Sequence, residues 1–268
     1  MAPITNEKLN TPLISVLMPA YDSERYIAQA IESVLAQTVS DWELIVVDDR
    51  SRDNTRQIVE HFAGKDPRIR LYVNDSNCGA ARTRNRGLDL CRGAYVALLD
   101  SDDIWYADKL AVQLALAEKE QADIIYCSYS IIDENGEKQC KDFIVPESTT
   151  LEDTLKKSVI SCSTALLKKE VVERYRFPLN YYHEDLAMWL QLLQNGMKAV
   201  GTREVLAAYR VRSRSRASNK LLVAKRRWQI YRGFMGMSWG RSAYCFVQYA
   251  VMGLMKYRKN KNQGTPVG

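Results

Sequence analysis

The first 120 residues alternate between short apolar runs and amphipathic segments, and this alternation restricts the fold more than any other feature. Four apolar runs predict buried strands: ISVLMPA (14–20), WELIVVDD (42–49), IRLYVND (69–75) and YVALLD (95–100). Each is followed by a segment with helical spacing of apolar residues. Strands separated by helices of this length predict an α/β fold, a mostly parallel sheet flanked by helices. A fifth strand is predicted at 123–133, with Asn135-Gly136 as a hairpin turn. The pattern is weaker after residue 140, where further strands are predicted at 160–167 and in the short runs MKAVG (197–201) and EVLAAYRV (204–211).

Polar side chains follow three of these strands, at what would be one edge of the sheet. They are the segment 19–22, the pair Asp48-Asp49 and the acids of 100–103. Ligands of parallel α/β sheets bind at the carboxyl ends of the strands. One such acid could simply cap the next helix, but three strand ends together favour a binding site.

The segment Asp100-Ser101-Asp102-Asp103 is the most informative of the three. Clustered carboxylates repel one another unless a cation lies among them. Hard oxygen ligands suit Mg²⁺ or Mn²⁺, which proteins commonly hold by one or two carboxylates together with water and substrate phosphates. A solvated acidic turn is the alternative, and it fits poorly because a buried strand leads directly into the acids. Only two histidines are present and no CxxC pair, so we do not expect a zinc site.

Five segments in a fixed order resemble glycosyltransferase family 2, which has the GT-A fold. They are VLMPAYDSERYIAQAIESVLAQT, WELIVVDDRSRDNT, NCGAARTRNRG, GAYVALLDSDD and HEDLAMWLQLLQNG. Together they span residues 13–210, most of the chain. The resemblance is to the non-processive, hexosyltransferase type that builds bacterial surface polysaccharides such as lipopolysaccharide or capsule.

The resemblance implies a nucleotide site in the first half of the chain. Pro19 and Tyr21 match the family's first nucleotide-contacting loop, where Asp22 replaces the usual Asn. Asp49 matches the residue that accepts a hydrogen bond from the uracil edge, which implies a UDP-sugar, although TDP-sugars share the imide N–H. Arg84 matches a basic residue near the nucleotide. Arg82 is a rival, because the match through this loop is loose.

The resemblance also implies a metal ligand and a catalytic base. Asp100 and Asp102 match the DxD signature, with Asp102 as the direct ligand of Mn²⁺ or Mg²⁺ and Asp100 towards the ribose; Asp103 would lie behind them. Asp185 matches the base that takes a proton from the acceptor hydroxyl. One base opposite a departing diphosphate implies a single displacement with inversion at the sugar. A purely structural alternative exists for Asp185, because acids at a helix N-terminus complement the dipole.

Charge is distributed unevenly between the body of the chain and its end. The net charge is +6, yet no acid follows Glu204, and 210–261 contains fourteen Lys and Arg residues. The basic loop 209–218 could contact the diphosphate through an arginine that the sequence does not identify. Residues 219–258 predict two helices rich in aromatic and basic residues. They suit the surface of an anionic membrane, or packing on the catalytic domain or a partner subunit.

These observations predict a GT-A catalytic domain at 1–218 and a basic helical tail at 219–268. The domain would have a nucleotide-sugar half at about 13–133 and an acceptor half at about 134–218. The acceptor would be a glycan or an undecaprenyl-diphosphate-linked sugar. AKRRW (224–228) lacks the Gln of the processive QxxRW motif, which favours transfer of one sugar. No signal-like apolar run opens the chain, so we expect a cytoplasmic protein peripheral to the inner face of the plasma membrane.

Two other classes of protein explain the sequence less well. A sugar nucleotidyltransferase shares a similar core, but it needs a glycine-rich loop after the first strand, and PAYDSERY has none. A nucleic-acid-binding protein would use the basic tail but leaves the acidic cluster unexplained, because acids repel phosphate. We therefore expect no nucleic-acid partner.

Overall fold

The computed structural model describes residues 11–211 and 220–261, with side chains in the second range described from 222 to 251. The strands are β1 (Ile14–Ala20), β2 (Trp42–Asp48), β3 (Ile69–Val73), β4 (Tyr95–Leu98), β5 (Ile104–Trp105), β6 (Ile124–Ile132), β7 (Leu166–Lys168) and β8 (Ala199–Arg210). The helices are α1 (Ile27–Leu35), α2 (Thr55–Ala63), α3 (Ala80–Leu90), α4 (Lys109–Glu120), α5 (Leu151–Lys156), α6 (Lys169–Arg174), α7 (Glu184–Gln194), α8 (Lys220–Gln229) and α9 (Trp239–Lys261).

All eight strands belong to one sheet, in the order β3-β2-β1-β4-β7-β6-β8-β5. β1 pairs in parallel with β2 and β4, and β2 pairs in parallel with β3. This confirms the predicted parallel half. β7 is antiparallel to both β4 and β6, so the complete sheet is mixed.

The sheet is covered by helices on both faces, as predicted. One apolar core contains Ile31 of α1, Val59 of α2 and Leu110 of α4. The other contains Leu88 of α3 and Trp189 of α7. β1 and β2 read as continuous apolar runs because they are buried on both faces.

The sequence prediction was wrong in two places in the second half of the chain. The predicted strand at 160–167 is a 3-10 turn, Cys162–Thr164, followed by the three-residue β7. Hydroxyl side chains explain the difference, since Ser161, Ser163 and Thr164 favour local hydrogen bonds over a ladder. The two short strands predicted at 197–201 and 204–211 form one strand, β8. The pairing of β8 with β6 is interrupted by a register shift.

The two predicted tail helices correspond to α8 and α9, joined through a π-helical turn, Ile230–Phe234. The tail packs against α5 and α7: Ile230, Tyr231, Met237 and Cys245 form a buried cluster with Leu155, Leu186, Ala187 and Leu190. Packing on the catalytic domain was one of the two alternatives that the sequence left open. None of the helices in the described ranges has the length and apolarity needed to cross a bilayer.

Candidate active site

An open cleft of about 1040 Å³ lies at the carboxyl ends of β1, β2 and β4. It extends from the loop after β1 to the first turn of α7. All seven residues that the sequence predicted for the site line it: Pro19, Tyr21, Asp49, Arg84, Asp100, Asp102 and Asp185. Residues more than 160 positions apart are thus brought into one cavity by the order of the strands.

The loop after β1 has a backbone conformation that suits its acid. Asp22 has φ of +45°, a region in which Asn and Asp are enriched among non-glycine residues. Its carboxylate accepts a hydrogen bond from the Arg52 amide at 2.8 Å. Asp22 therefore adopts the positive φ that Asn, usual in the family, would also tolerate. Tyr21 beside it is 37% exposed at the cleft.

Asp49 joins the end of β2 to the start of α3. Its Oδ1 accepts hydrogen bonds from the Cys78 amide at 2.9 Å and the Asn74 side chain at 2.7 Å, and Oδ2 accepts from the Gly79 amide at 2.8 Å. Burial raises the pKa of Asp49, but these hydrogen bonds outweigh it and leave the pKa below its usual value. Asp49 is thus a carboxylate whose orientation is fixed by its neighbours.

The acidic turn after β4 is held by residues that sequence reasoning missed. The Ser163 hydroxyl accepts from the Asp100 amide at 3.0 Å and donates to Asp103 at 2.5 Å. Asp103 is buried and also accepts from the Arg210 amide at 2.8 Å. Burial, then the charges of Asp102 and Asp100, raise its pKa well above the usual range. Asp103 therefore braces the turn from behind, while Asp100 and Asp102 line the cleft.

Arg210 also braces this turn. Its Nε donates to the Asp102 carbonyl at 2.7 Å and its Nη1 to the Asp133 carbonyl at 3.0 Å, while Nη2 donates to the Gln29 side chain at 2.8 Å. Its three guanidinium nitrogens therefore all donate to the protein, which makes it a poor candidate for the diphosphate contact expected of the basic loop. The other arginines proposed for that role, at 212, 214 and 216, lie outside the described residues.

Arg84 lies at the centre of the site and bridges two carboxylates. It is buried, and its terminal nitrogens donate to Asp100 at 2.6 Å and to Glu184 at 2.7 Å. Of the two candidate arginines, Arg84 lines the cleft, whereas Arg82 is exposed outside it. The ion pairs tie the acidic turn to the first turn of α7. No sequence signal reveals them, because the partners are 16 and 100 residues away.

Asp185 lies in the first turn of α7, next to Glu184 in the cleft. One of its carboxylate oxygens accepts from the Leu186 amide at 2.7 Å. Burial raises the pKa of Glu184. His183, just before the helix, also lines the cleft, and burial lowers its pKa. Asp185 and His183 are thus adjacent titratable groups at the cleft wall.

The acidic turn has donors that suit a divalent ion when substrate supplies the rest. Within the described ranges, no three His, Cys, Asp or Glu side chains are placed to hold an ion by themselves. Asp100 and Asp102 both line the cleft, and Asp103 holds the turn from behind through Ser163. Mg²⁺ is commonly held by one or two carboxylates plus substrate phosphates, and the turn fits that pattern.

The sequence matches the model of a known family. Residues 15–176 match "Glycosyl transferase family 2". The chain is 39% identical over 239 residues to the putative teichuronic acid biosynthesis glycosyltransferase TuaG of Bacillus subtilis, covering 89% of this chain and 95% of that one. It is 36% identical over 253 residues to Escherichia coli WfgD, a UDP-Glc:α-D-GlcNAc-diphosphoundecaprenol β-1,3-glucosyltransferase, covering 94% and 98%.

Solved structures show the same fold. S. aureus TarS 1-349 in complex with UDP-GlcNAc superposes with a TM-score of 0.69 at 20% identity, over 88% of this chain and 71% of that one. The mannosyltransferase PcManGT from Pyrobaculum calidifontis, in complex with GDP-Man and Mn²⁺, superposes with a TM-score of 0.68 at 19% identity, over 86% and 66%. The sheet, the cleft and the family match together define an enzyme of the glycosyltransferase class. The chain belongs to glycosyltransferase family 2.

Proposed function

We propose that this glycosyltransferase transfers one sugar, with inversion, from a UDP-sugar to an undecaprenyl-diphosphate-linked acceptor in the synthesis of a bacterial surface polysaccharide. The observation that carries the proposal is that Asp49, Asp102 and Asp185 line one cleft. Relatives named for teichuronic acid biosynthesis and for GlcNAc-diphosphoundecaprenol glucosylation support the acceptor class.

The donor's uracil is assigned to Asp49. Oδ1 of this carboxylate accepts several hydrogen bonds from the chain, whereas Oδ2 accepts one within the described ranges, from the Gly79 amide. A carboxylate oxygen has room for a second donor, and the imide N–H of uracil is such a donor. Cytosine has no N–H at that ring position, so Asp49 favours a uridine donor.

The donor's diphosphate is assigned to the turn that contains Asp100 and Asp102. Asp102 would hold Mn²⁺ or Mg²⁺ there, and Asp100 would lie towards the ribose. A bound ion of this kind neutralises the charge that develops on a departing diphosphate. Ser163, Arg210 and the Arg84 bridge keep the carboxylates in place before substrate arrives.

Asp185 is assigned as the general base. As the acceptor oxygen bonds to the anomeric carbon, the bond from that carbon to the diphosphate breaks, and the hydroxyl proton passes to Asp185. A retaining route would need a carboxylate nucleophile, and the neighbouring Glu184 is committed to Arg84. One base and no nucleophile favour a single displacement.

A lipid-linked acceptor calls for placement at a membrane. α9 exposes an apolar strip on the side away from the catalytic domain, formed by Trp239 (69% exposed), Tyr244, Val247 and Val251. The same helix continues into a basic segment at 256–261. Aromatic and basic residues together favour the interface of an anionic bilayer, so we place the protein peripherally on the inner face of the plasma membrane.

The roles of the two aspartates are separated by Asp185→Asn and Asp102→Ala. We expect Asp185→Asn to lower kcat by about 10²–10⁴, the usual contribution of a general base, while binding of UDP with Mn²⁺ persists. We expect Asp102→Ala to lose both. The measurements are sugar transfer from a panel of UDP-sugars, the anomeric configuration of the product by NMR, and the thermal shift with UDP and Mn²⁺.

Asp108→Asn is the matched control, because Asp108 is exposed outside the cleft and its side chain makes no capping bond. Normal turnover of Asp185→Asn would remove the assignment of the base. A product that retains the donor configuration would remove the single displacement.

A further inference from the structure

Several buried side-chain nitrogen atoms have no hydrogen-bond partner within the described ranges, and two of them belong to residues that precede or contact the segment leading into α7. These two are Nη1 of Arg226, on α8, and Nε2 of His183, just before α7. Buried polar groups in native proteins are nearly always paired, so an unpaired one calls for an explanation such as a ligand. Here two such atoms belong to neighbouring elements of the same region.

Contacts connect Arg226 to the wall of the cleft. Its guanidinium lies over the ring of Tyr182. Tyr182 and His183 line the cleft next to Asp185. Burial lowers the pKa of His183, the charge of Asp185 opposes this, and the charges of Arg226 and Arg227 add to the lowering. The positive charge of Arg226 therefore acts on His183, which is two residues before Asp185.

Arg226 differs from the other arginines of the tail with described side chains. Arg227 donates to the carbonyls of Thr154 and Leu155, and Arg232 donates to the carbonyl of Met237. Arg241 pairs with Glu152. Arg226 has no ion pair in the described ranges, although a partly buried charge is costly without one. The ring of Tyr182 compensates only part of that cost.

We infer that Arg226 and His183 form a phosphate-binding subsite for the diphosphate of the lipid-linked acceptor. The inference rests on the proposed function. The relatives' acceptors carry the diphosphate on the same GlcNAc that receives the new sugar. An acceptor whose hydroxyl meets Asp185 would therefore place its phosphate one hexose ring away, on the side opposite the donor.

The chemistry of both side chains fits a phosphate. A guanidinium presents paired N–H groups that match phosphate oxygens, and these charge-assisted hydrogen bonds are the strong ones. A neutral imidazole with its proton on Nε2 donates one more. The subsite would thus recognise the negative charge of the phosphate next to the acceptor sugar. The tail would take part in acceptor recognition through Arg226.

The test compares two soluble acceptors that carry the same sugar, one linked through diphosphate to a short alkyl chain and one as the neutral alkyl glycoside. For Arg226→Gln and His183→Ala we expect the preference for the diphosphate acceptor, as a ratio of kcat/KM values, to fall by about 10-fold or more, which is the usual loss when a charged hydrogen bond is removed. The KM for the UDP-sugar is measured in parallel. Lys225→Gln removes the same charge from the neighbouring, exposed position of α8 and is the matched control.

Each outcome has a separate meaning. An unchanged ratio in Arg226→Gln, or a loss equal to that in Lys225→Gln, would overturn the subsite. A rise in donor KM instead would assign Arg226 to the donor. If the loss appears only in binding to phosphatidylglycerol vesicles, the phosphate belongs to a lipid headgroup and the inference fails. A wild-type enzyme that transfers sugar without preferring the diphosphate acceptor would overturn the acceptor class in the proposed function, whatever the variants do.

Discussion

At the scale of single residues, the cleft owes its geometry to a small network of charges and hydroxyls. Arg84 joins Asp100 to Glu184, and Ser163 joins the Asp100 amide to Asp103. The network links the edge of the sheet, where the nucleotide is expected, to the helix that carries Asp185. The network thus fixes the acidic turn and the first turn of α7 relative to one another.

Loss of Arg84 should therefore cost both stability and turnover. We expect Arg84→Met to lower the free energy of unfolding by about 3–5 kcal/mol, because it leaves two partly buried carboxylates without their cation. Urea denaturation measures this change, and steady-state kinetics measures the accompanying loss of transfer. The double variant Arg84→Met/Glu184→Gln should recover part of the stability, since one of the unpaired charges is gone.

Arg82→Met is the control for this experiment, because Arg82 is an exposed residue of the same helix. A stability of Arg84→Met equal to that of Arg82→Met would show that the bridge contributes nothing. No recovery in the double variant would show that the cost arises elsewhere.

The residues of the site were only partly predictable. Asp49 and Asp102 could be placed because each follows a strand that the local pattern reveals, whereas Asp185 was matched through the resemblance to the family; all three line the cleft. The partners of Arg84 and the roles of Ser163 and Arg210 could not, because they depend on contacts between distant segments. Ser163 belongs to a hydroxyl-rich run that the sequence presented as a strand.

At the scale of elements, the approach of α3 and α7 to the sheet determines where the site residues lie. α3 passes close over β1 and β2 at Gly87, where a Cβ atom would collide with the Leu17 side chain. Arg84 is one turn earlier on the same helix. α7 is fixed on its other side by the tail, through the contacts of Leu186 and Leu190 with Ile230 and Tyr231.

The tail should therefore depend on Arg227, which is buried and donates to the Thr154 and Leu155 carbonyls at the end of α5. We expect Arg227→Met to lower stability by about 1–3 kcal/mol, because the Thr154 carbonyl loses this donor and the Leu155 carbonyl keeps only the Tyr231 hydroxyl. Denaturant unfolding and limited proteolysis of the tail measure the effect. Lys225→Met, at an exposed position of the same helix, should leave both unchanged; equal behaviour of the two variants would contradict this account of the tail.

The elements themselves were largely predictable in the first half of the chain. There each strand is a continuous apolar run and each helix has a clear apolar face, because β1 and β2 are buried on both sides. Prediction weakened after residue 140. β7 has only three residues, and its antiparallel pairing between β4 and β6 depends on distant partners rather than on local pattern.

At the scale of the whole molecule, the acidic cleft and the basic tail face different partners. The tail contributes two surfaces: an inner one that packs on α5 and α7, and an outer one formed by Trp239, Tyr244, Val247 and Val251. The outer surface lies on the helix that leads into the basic segment 256–261. This arrangement would hold the cleft near a membrane that supplies the acceptor.

Replacing the outer aromatic residues should weaken membrane binding. We expect Trp239→Ser/Tyr244→Ser to reduce co-sedimentation with phosphatidylglycerol vesicles several-fold, because two rings leave the interface. The Trp239 ring also packs on Trp228, so Tyr244→Ser alone is the variant expected to keep the thermal midpoint of the wild type. Ile144→Ser, which changes an exposed apolar residue on the catalytic domain, is the matched control. Equal vesicle binding by the wild type, the double variant and the control would place the membrane contact elsewhere, or remove it.

Asp49, Asp102 and Asp185 line one cleft, and we propose that the first two bind the donor while Asp185 activates the acceptor hydroxyl. A crystal structure of the enzyme with Mn²⁺ and a non-hydrolysable UDP-sugar analogue tests it most directly. We expect the uracil imide to donate a hydrogen bond to Asp49 and the ion to bind Asp102 and diphosphate oxygens. We expect Asp185 to lie on the face of the anomeric carbon opposite the diphosphate. A nucleotide bound away from the acidic turn, or a diphosphate held without Asp102, would contradict the proposal.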